Sequence, residues 1–154
     1  MLTVGLGVAV MQVGKVKNAS DDSHKKTAIN AMYYSLEESF YKQHGYYPET
    51  LTDDTLPTMD KALLTDPKGK KIGDANSAYR YETQNCQEGK CKHFILRAKL
   101  VNESDFVKEQ YKTGEICRIL NICKSTLINY DKQGKLPIHR TENNRRIIFR
   151  EDLL

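Results

Sequence analysis

The sequence predicts an α+β chain of two modules: a long helix packed on a small antiparallel sheet, followed by a small helical module with a β-hairpin. Helical periodicity over residues 22–43 gives way to strand-like alternation, and helical spacing returns after residue 112. The net charge of +4 over 154 residues is uneven: residues 1–110 carry 15 Lys/Arg and 15 Asp/Glu, whereas residues 111–154 carry nine and five. A basic excess at one end is typical of a segment that meets a polyanion.

The chain begins with an apolar segment, residues 2–13, that is shorter than the roughly 20 residues of a membrane-spanning helix. No Lys or Arg precedes it, so it lacks the basic start of a signal peptide. The first positive charges, Lys15 and Lys17, follow it. These features favour a truncated membrane anchor, and a buried strand or helix is the alternative.

Residues 22–43 form the clearest predicted helix. Its N-cap candidates are Asp21, Asp22 and Ser23, and Gly45 is the expected end. A core-facing stripe recurs at three or four positions and consists of Ile29, Met32, Tyr33, Leu36 and Phe40.

Strands are predicted at residues 79–81 and 94–100, after a helical turn over residues 59–64. In the second strand Arg97 and Lys99 occupy one face. The opposite, apolar face carries Phe94, Leu96, Ala98 and Leu100.

Cys86 and Cys91 have a spacing that a disulfide-closed turn accepts, and two free thiols are the alternative. A bridge would indicate an oxidising compartment. Cys117 and Cys123 are expected to be small buried residues. A four-cysteine zinc site fits poorly, because neither pair has the short spacing of zinc knuckles.

Catalytic patterns are missing from the sequence. It contains no glycine-rich phosphate loop, nucleophile elbow or zincin motif, and its four histidines are scattered. Acidic pairs such as Asp21-Asp22 and Glu37-Glu38 are interpreted as helix caps or solvated faces. We therefore expect a protein that is not an enzyme, with no metal and no cofactor.

The first part, about residues 2–105, resembles the type IV pilin and pseudopilin family. The resemblance rests on the apolar start, the stretch KTAINAMYYSLEESFYKQHGYYPETL, the turn DPKGKKIG and two aromatic strands. It implies a pilin-like head domain, with membrane association or pilin-type subunits as partners.

The basic end begins with a short predicted helix over residues 114–120, for which Thr113 is the expected cap. Asn121 suits the left-handed conformation of the tight connection that follows. The apolar face of this helix consists of Ile116, Ile119 and Leu120.

A second helix is predicted over 124–132, with Leu127 and Tyr130 facing inward and Gly134 ending it. Its outer side carries Lys124, Ser125, Thr126, Asn129 and Lys132. Two short helices joined by such a turn form a helix-turn-helix, whose second helix enters the DNA major groove.

A hairpin follows, with strands at residues 136–140 and 145–149 around a turn at 142–144 in which adjacent Asn residues tolerate positive φ. Arg140, Arg145 and Arg146 gather near its tip. The sequence therefore predicts a basic wing beside the two helices.

This basic end resembles the MerR-like and excisionase-type winged helix-turn-helix families, and most closely the DNA-binding head of insertion-sequence serine recombinases. The matching residues are YKTGEICRILNICKSTLINYDKQGKLP and RTENNRRIIFREDLL. Cys123 stands where the family commonly has a capping Ser or Thr, so a poorer cap is expected. The module is expected to be truncated, because the effector, dimerisation or catalytic domain of such families does not follow.

The resemblance also implies roles for individual side chains. Bases or the adjoining backbone would be contacted by Lys124, Ser125, Thr126 and Asn129. Phosphates or the minor groove would be contacted by Tyr130, Lys132, Arg140, Arg145 and Arg146. Arg and Lys supply affinity through phosphates, whereas Asn and Ser can read base edges.

These observations predict a pilin-like domain at residues 1–108 and a winged helix-turn-helix at residues 109–154. The expected function is binding of double-stranded DNA, as a transcription regulator or recombinase accessory, with a homodimer on DNA as an option. The alternative is an extracytoplasmic pilin-like subunit without a DNA-binding role. The first function places the chain in the cytoplasm and the second places it at or outside the membrane.

Overall fold

A computed structural model describes residues 5–140, 144, 146–149 and 152–153, with side chains described from residue 14 onward. The chain divides into two compact units, Met1–Phe106 and Val107–Leu154. The helices are α1 (Gly5–Tyr34), α2 (Lys42–His44), α3 (Thr113–Ile119) and α4 (Lys124–Lys132). The strands are β1 (Tyr47–Pro48), β2 (Tyr79–Gln84), β3 (Lys90–Cys91), β4 (His93–Ala98), β5 (Phe106–Lys108), β6 (Gln110–Lys112), β7 (His139–Arg140) and β8 (Arg146–Phe149).

The first unit is built on a helix longer than the sequence predicts. Helix α1 continues through a π-helical segment, Ser35–Tyr41, into α2. The helix ends at Gly45, whose φ of 75° is left-handed, as predicted. Among the described residues, no helix combines the length and the apolar character needed to cross a membrane.

The predicted helix start at Asp21, Asp22 and Ser23 is wrong, because α1 is already helical there. Asp22 lies inside the helix and is 2% exposed. Its carboxylate accepts hydrogen bonds of 3.0 Å from the backbone N–H groups of Val101 and Asn102, and it pairs with Lys25 at 3.0 Å. Asp22 therefore fixes the chain after β4 to α1 instead of capping a helix.

The pKa of Asp22 reflects this environment. Burial alone raises the pKa of the carboxyl group, but hydrogen bonds from Asn102 and Lys25 outweigh burial and lower the pKa to about 2. The carboxylate is therefore ionised over the physiological pH range.

The apolar stripe of α1 forms the core of this unit, as predicted. Ile29, Met32 and Leu36 are fully buried, and Tyr33 is 3% exposed. Phe40, the last member of the predicted stripe, is only half-buried. The stripe faces strand β4. In this strand Leu96 and Ala98 are fully buried, and Phe94 and Ile95 are nearly fully buried.

Strands β2 and β4 pair antiparallel, with Tyr79 opposite Ala98 and Gln84 opposite His93. The inward side of β4 matches the prediction, although Ile95 is buried as well. The predicted helical turn is a short 3₁₀ helix, Lys61–Leu64, with Asp60 as its cap.

A disulfide joins Cys86 and Cys91, whose Cα atoms lie 3.9 Å apart. Cys91 is fully buried and lies opposite Tyr47 in the two-stranded pairing of β1 and β3. The bridge therefore closes the loop that carries β3 against β1.

Candidate nucleic-acid interface

The second unit has a hydrophobic core of its own. Ile116, Leu127 and Ile148 are fully buried, one each from α3, α4 and β8. Half-buried side chains surround them: Tyr111, Cys117, Leu120, Ile122, Leu136, Ile138 and Leu153. The core thus holds the two helices and the C-terminal strands together. Ile119, predicted to lie in this core, is 52% exposed.

Helix α3 begins differently from the prediction. Thr113 is its first residue and not its cap. The carboxylate of Glu115 instead accepts a hydrogen bond of 2.8 Å from the backbone N–H of Lys112. An acidic side chain in the first turn also interacts favourably with the helix dipole.

The connection between the helices is tight. Asn121 has a φ of 50°, which confirms the predicted left-handed conformation. The backbone N–H of Ile122 donates to the carbonyl of Cys117 at 2.9 Å and closes the end of α3. This turn leads directly into α4.

Helix α4 has the predicted bounds, and Gly134 follows its end with a φ of 63°. Leu127 anchors its inner side, and Tyr130 is half-buried. Most of the predicted DNA-contacting residues of α4 lie on its exposed side. Lys124, Ser125, Asn129 and Lys132 are exposed, and Thr126 is half-buried.

Cys123 precedes α4 and is exposed, so the prediction that it is buried is wrong. Its Sγ lies 2.9 Å from the Ser125 hydroxyl and 3.0 Å from the Thr126 hydroxyl. These hydrogen bonds lower the pKa of the Cys123 thiol to about 7, and the one with Ser125 has the largest effect. The thiol therefore engages two of the hydroxyl groups predicted to face DNA. Cys117, the other free cysteine, is half-buried.

The C-terminal hairpin consists of β7 and β8, which pair antiparallel with His139 opposite Ile147 and Arg140 opposite Arg146. Asn144 has the positive φ, 56°, expected of the turn. Strand β6 pairs with the other edge of β8, giving the order β6-β8-β7. The sequence did not predict β6.

The hairpin arginines have a partner that sequence reasoning missed. Asp131, on α4, accepts from Arg140 Nη2 at 2.5 Å and from Arg146 Nε at 2.6 Å. Arg140 also donates to the Asn144 side chain at 3.2 Å. The hydrogen bond from Arg146, followed by the charge of Arg140, holds the pKa of the Asp131 carboxyl below its usual range. Arg145 lies outside the described residues.

A comparison with protein families gives one match within the second unit. Residues 112–148 match the family model described as MerR family regulatory protein. The MerR match contains both helices and both strands of the hairpin up to Ile148, and it supports a DNA-binding regulatory role. Comparisons with curated proteins and with solved structures gave no match. The resemblances of the first unit to pilins and of the basic end to recombinases therefore stay predictions.

Proposed function

We propose that residues 107–154 bind double-stranded DNA and that α4 enters the major groove. The observation that carries this proposal is the MerR family match over the helix pair and hairpin. The exposed polar side of α4 agrees with this proposal, because a helix that recognises base edges needs accessible hydrogen-bond donors and acceptors.

Within this proposal the side chains of α4 divide by chemistry. Asn129 is exposed and carries an amide that can pair with an adenine edge. Lys124 and Lys132 are exposed cations suited to phosphates. Ser125 and Thr126 would reach DNA through hydroxyl groups that also form hydrogen bonds with Cys123 Sγ. Tyr130, Arg140, Arg145 and Arg146 complete the proposed DNA-contacting set.

Titration of the full chain against duplex DNA at two salt concentrations tests the proposal. Lys132→Gln should weaken binding to all sequences and flatten the salt dependence by about one unit of slope. Lys68→Gln removes an exposed cation of the first unit and is the matched control, with no expected effect. Absence of binding at low salt, or binding indifferent to salt, would refute the proposal.

Sequence reading by α4 has a separate test. Asn129→Ala should cost about 1–3 kcal/mol at a preferred site and little at unrelated sequences, because a lost bidentate contact affects only the matching base. Selection from a random duplex library supplies the preferred site. Equal losses of affinity on all sequences would instead indicate that Asn129 contacts the DNA backbone.

We further propose that the role is regulatory or recombinase-accessory and not enzymatic, with a homodimer on two half-sites. A single module of this size offers few contacts, so a monomer should bind weakly at physiological salt. Sedimentation with and without duplex DNA distinguishes a monomer from a dimer.

A second candidate function is a pilin-like structural or surface subunit outside the cytoplasm. The observation that favours it is the Cys86–Cys91 disulfide, because disulfides persist in oxidising compartments. The apolar start would then provide the membrane association. Protease accessibility of residues 44–105 in intact cells separates the two candidates: cleavage supports an outside location, and protection supports the cytoplasm.

A further inference from the structure

The C-terminal hairpin places two arginines directly opposite each other, Arg140 on β7 and Arg146 on β8. Like charges at directly opposed positions of antiparallel strands destabilise the pairing. One carboxylate oxygen of Asp131 receives hydrogen bonds from both guanidinium groups. Asp131 therefore offsets this repulsion and connects both strands to α4.

The carboxylate is the most buried member of this cluster. The Asp131 side chain is 14% exposed, against 27% for Arg146 and 39% for Arg140. Charge-assisted hydrogen bonds are stronger and more directional than neutral ones. These hydrogen bonds engage Nη2 of Arg140 and Nε of Arg146 with α4, and the exposed Lys132 on the same helix is accessible to phosphates.

We propose that Asp131 is a positioning residue, which uses Arg140 and Arg146 to hold the hairpin against α4 so that both elements meet one DNA duplex. The inference rests on the proposed DNA-binding function. In this arrangement Nη2 of Arg140 and Nε of Arg146 hold the hairpin, and the remaining N–H groups of both arginines stay available to phosphates beside the lysines of α4.

The proposal makes a prediction opposite to that of simple electrostatics. Removing a carboxylate beside a polyanion should strengthen DNA binding if charge alone matters. Asp131→Asn should instead weaken binding about tenfold, because the hairpin loses its charge-assisted attachment. Asp131→Glu keeps the carboxylate and should recover most of the affinity.

Arg146→Lys provides a second variant that preserves charge. A lysine contacts phosphate as a point charge but lacks the planar fork that Asp131 engages. The positioning role predicts that Arg146→Lys weakens DNA binding, whereas a direct phosphate contact predicts little change. The Arg146 Nε–H resonance in NMR spectra of the free protein, shifted by its carboxylate partner, should move in Asp131→Asn.

A double-mutant cycle completes the test in the full chain, at a temperature where circular dichroism shows every variant to be folded. Asp131→Asn and Arg146→Lys should be non-additive in DNA affinity, whereas Asp131→Asn and Lys132→Gln should add. Unchanged or stronger binding by Asp131→Asn, or full affinity of Arg146→Lys, would overturn the inference alone. Failure of the unmodified chain to bind DNA at low salt would overturn the proposed function and this inference with it.

Discussion

Leu127 is the most informative position for asking whether the second unit folds by itself. It is fully buried and packs with Ile116 and Ile148 from the two neighbouring elements. Leu127→Ala removes the largest contribution of α4 to this core and leaves a cavity, because the surrounding side chains relax only partly.

The expected magnitude follows from the size of the unit. Because Leu127 is fully buried, Leu127→Ala should lower the free energy of unfolding by about 2–5 kcal/mol. A unit of about 48 residues, Val107–Leu154, has a free energy of unfolding of roughly 2–7 kcal/mol at typical values per residue. The substitution should therefore remove most of the stability of this unit.

Hydrogen exchange followed by mass spectrometry measures this effect separately in peptides from each unit. In Leu127→Ala, protection should fall across residues 107–154 and stay unchanged across residues 14–106. Ile119→Ala is the matched control, because its side chain is 52% exposed and such changes cost within about 0.5 kcal/mol. Equal loss of protection in both units would refute the reasoning, since it would require one shared cooperative core.

Three further predictions concern individual groups. Replacing Cys86 and Cys91 by Ser should destabilise the first unit by about 2 kcal/mol, because the bridge spans a sequence separation of 5; thermal denaturation with and without reductant measures the loss. Alkylation of Cys123 should reach half its maximal rate near pH 7, and Ser125→Ala should move that midpoint upward. Asp22, with its lowered pKa, should contribute stability above its usual pKa of 3.8 that is lost as the pH falls toward about 2; melting of Asp22→Asn should show a smaller acid dependence.

Each of these has an outcome that contradicts it. A melting temperature indifferent to reductant would argue against a stabilising bridge. A Cys123 alkylation midpoint near the ordinary thiol pKa of about 8.5 would show that the two hydroxyl groups do not stabilise the thiolate. An acid dependence of stability that is identical in Asp22→Asn would assign the acid loss to other carboxyl groups.

Local signals of the sequence predicted several elements correctly. The bounds of α4, the left-handed Asn121 and the end of the long helix at Gly45 all follow from side-chain spacing and backbone conformational preference. These features are encoded within a few residues, so the sequence alone contains the necessary information. The predicted disulfide depends in the same way on a short spacing between Cys86 and Cys91.

Features that depend on distant partners could not be predicted in this way. Strand β6 pairs with β8, although residues 110–112 carry no alternation that marks a strand by itself. Ile119 fits the apolar face of α3 by spacing, yet its side chain is 52% exposed because the core closes around Ile116. In both cases the decision is made by tertiary packing, which overrides local pattern.

Asp22 and Asp131 illustrate why acidic residues are difficult to assign. In the sequence, Asp22 is a helix-cap candidate, and no role is predicted for Asp131. Besides Lys25, the hydrogen-bond partners of Asp22 lie 79 and 80 residues away, and the arginine partners of Asp131 lie nine and 15 residues away. In each unit one ionised carboxylate within a helix fixes a segment that comes later in the chain. Because a buried carboxylate is stable only when donors meet it, an acid inside an apolar helical pattern is itself a reason to look for distant donors.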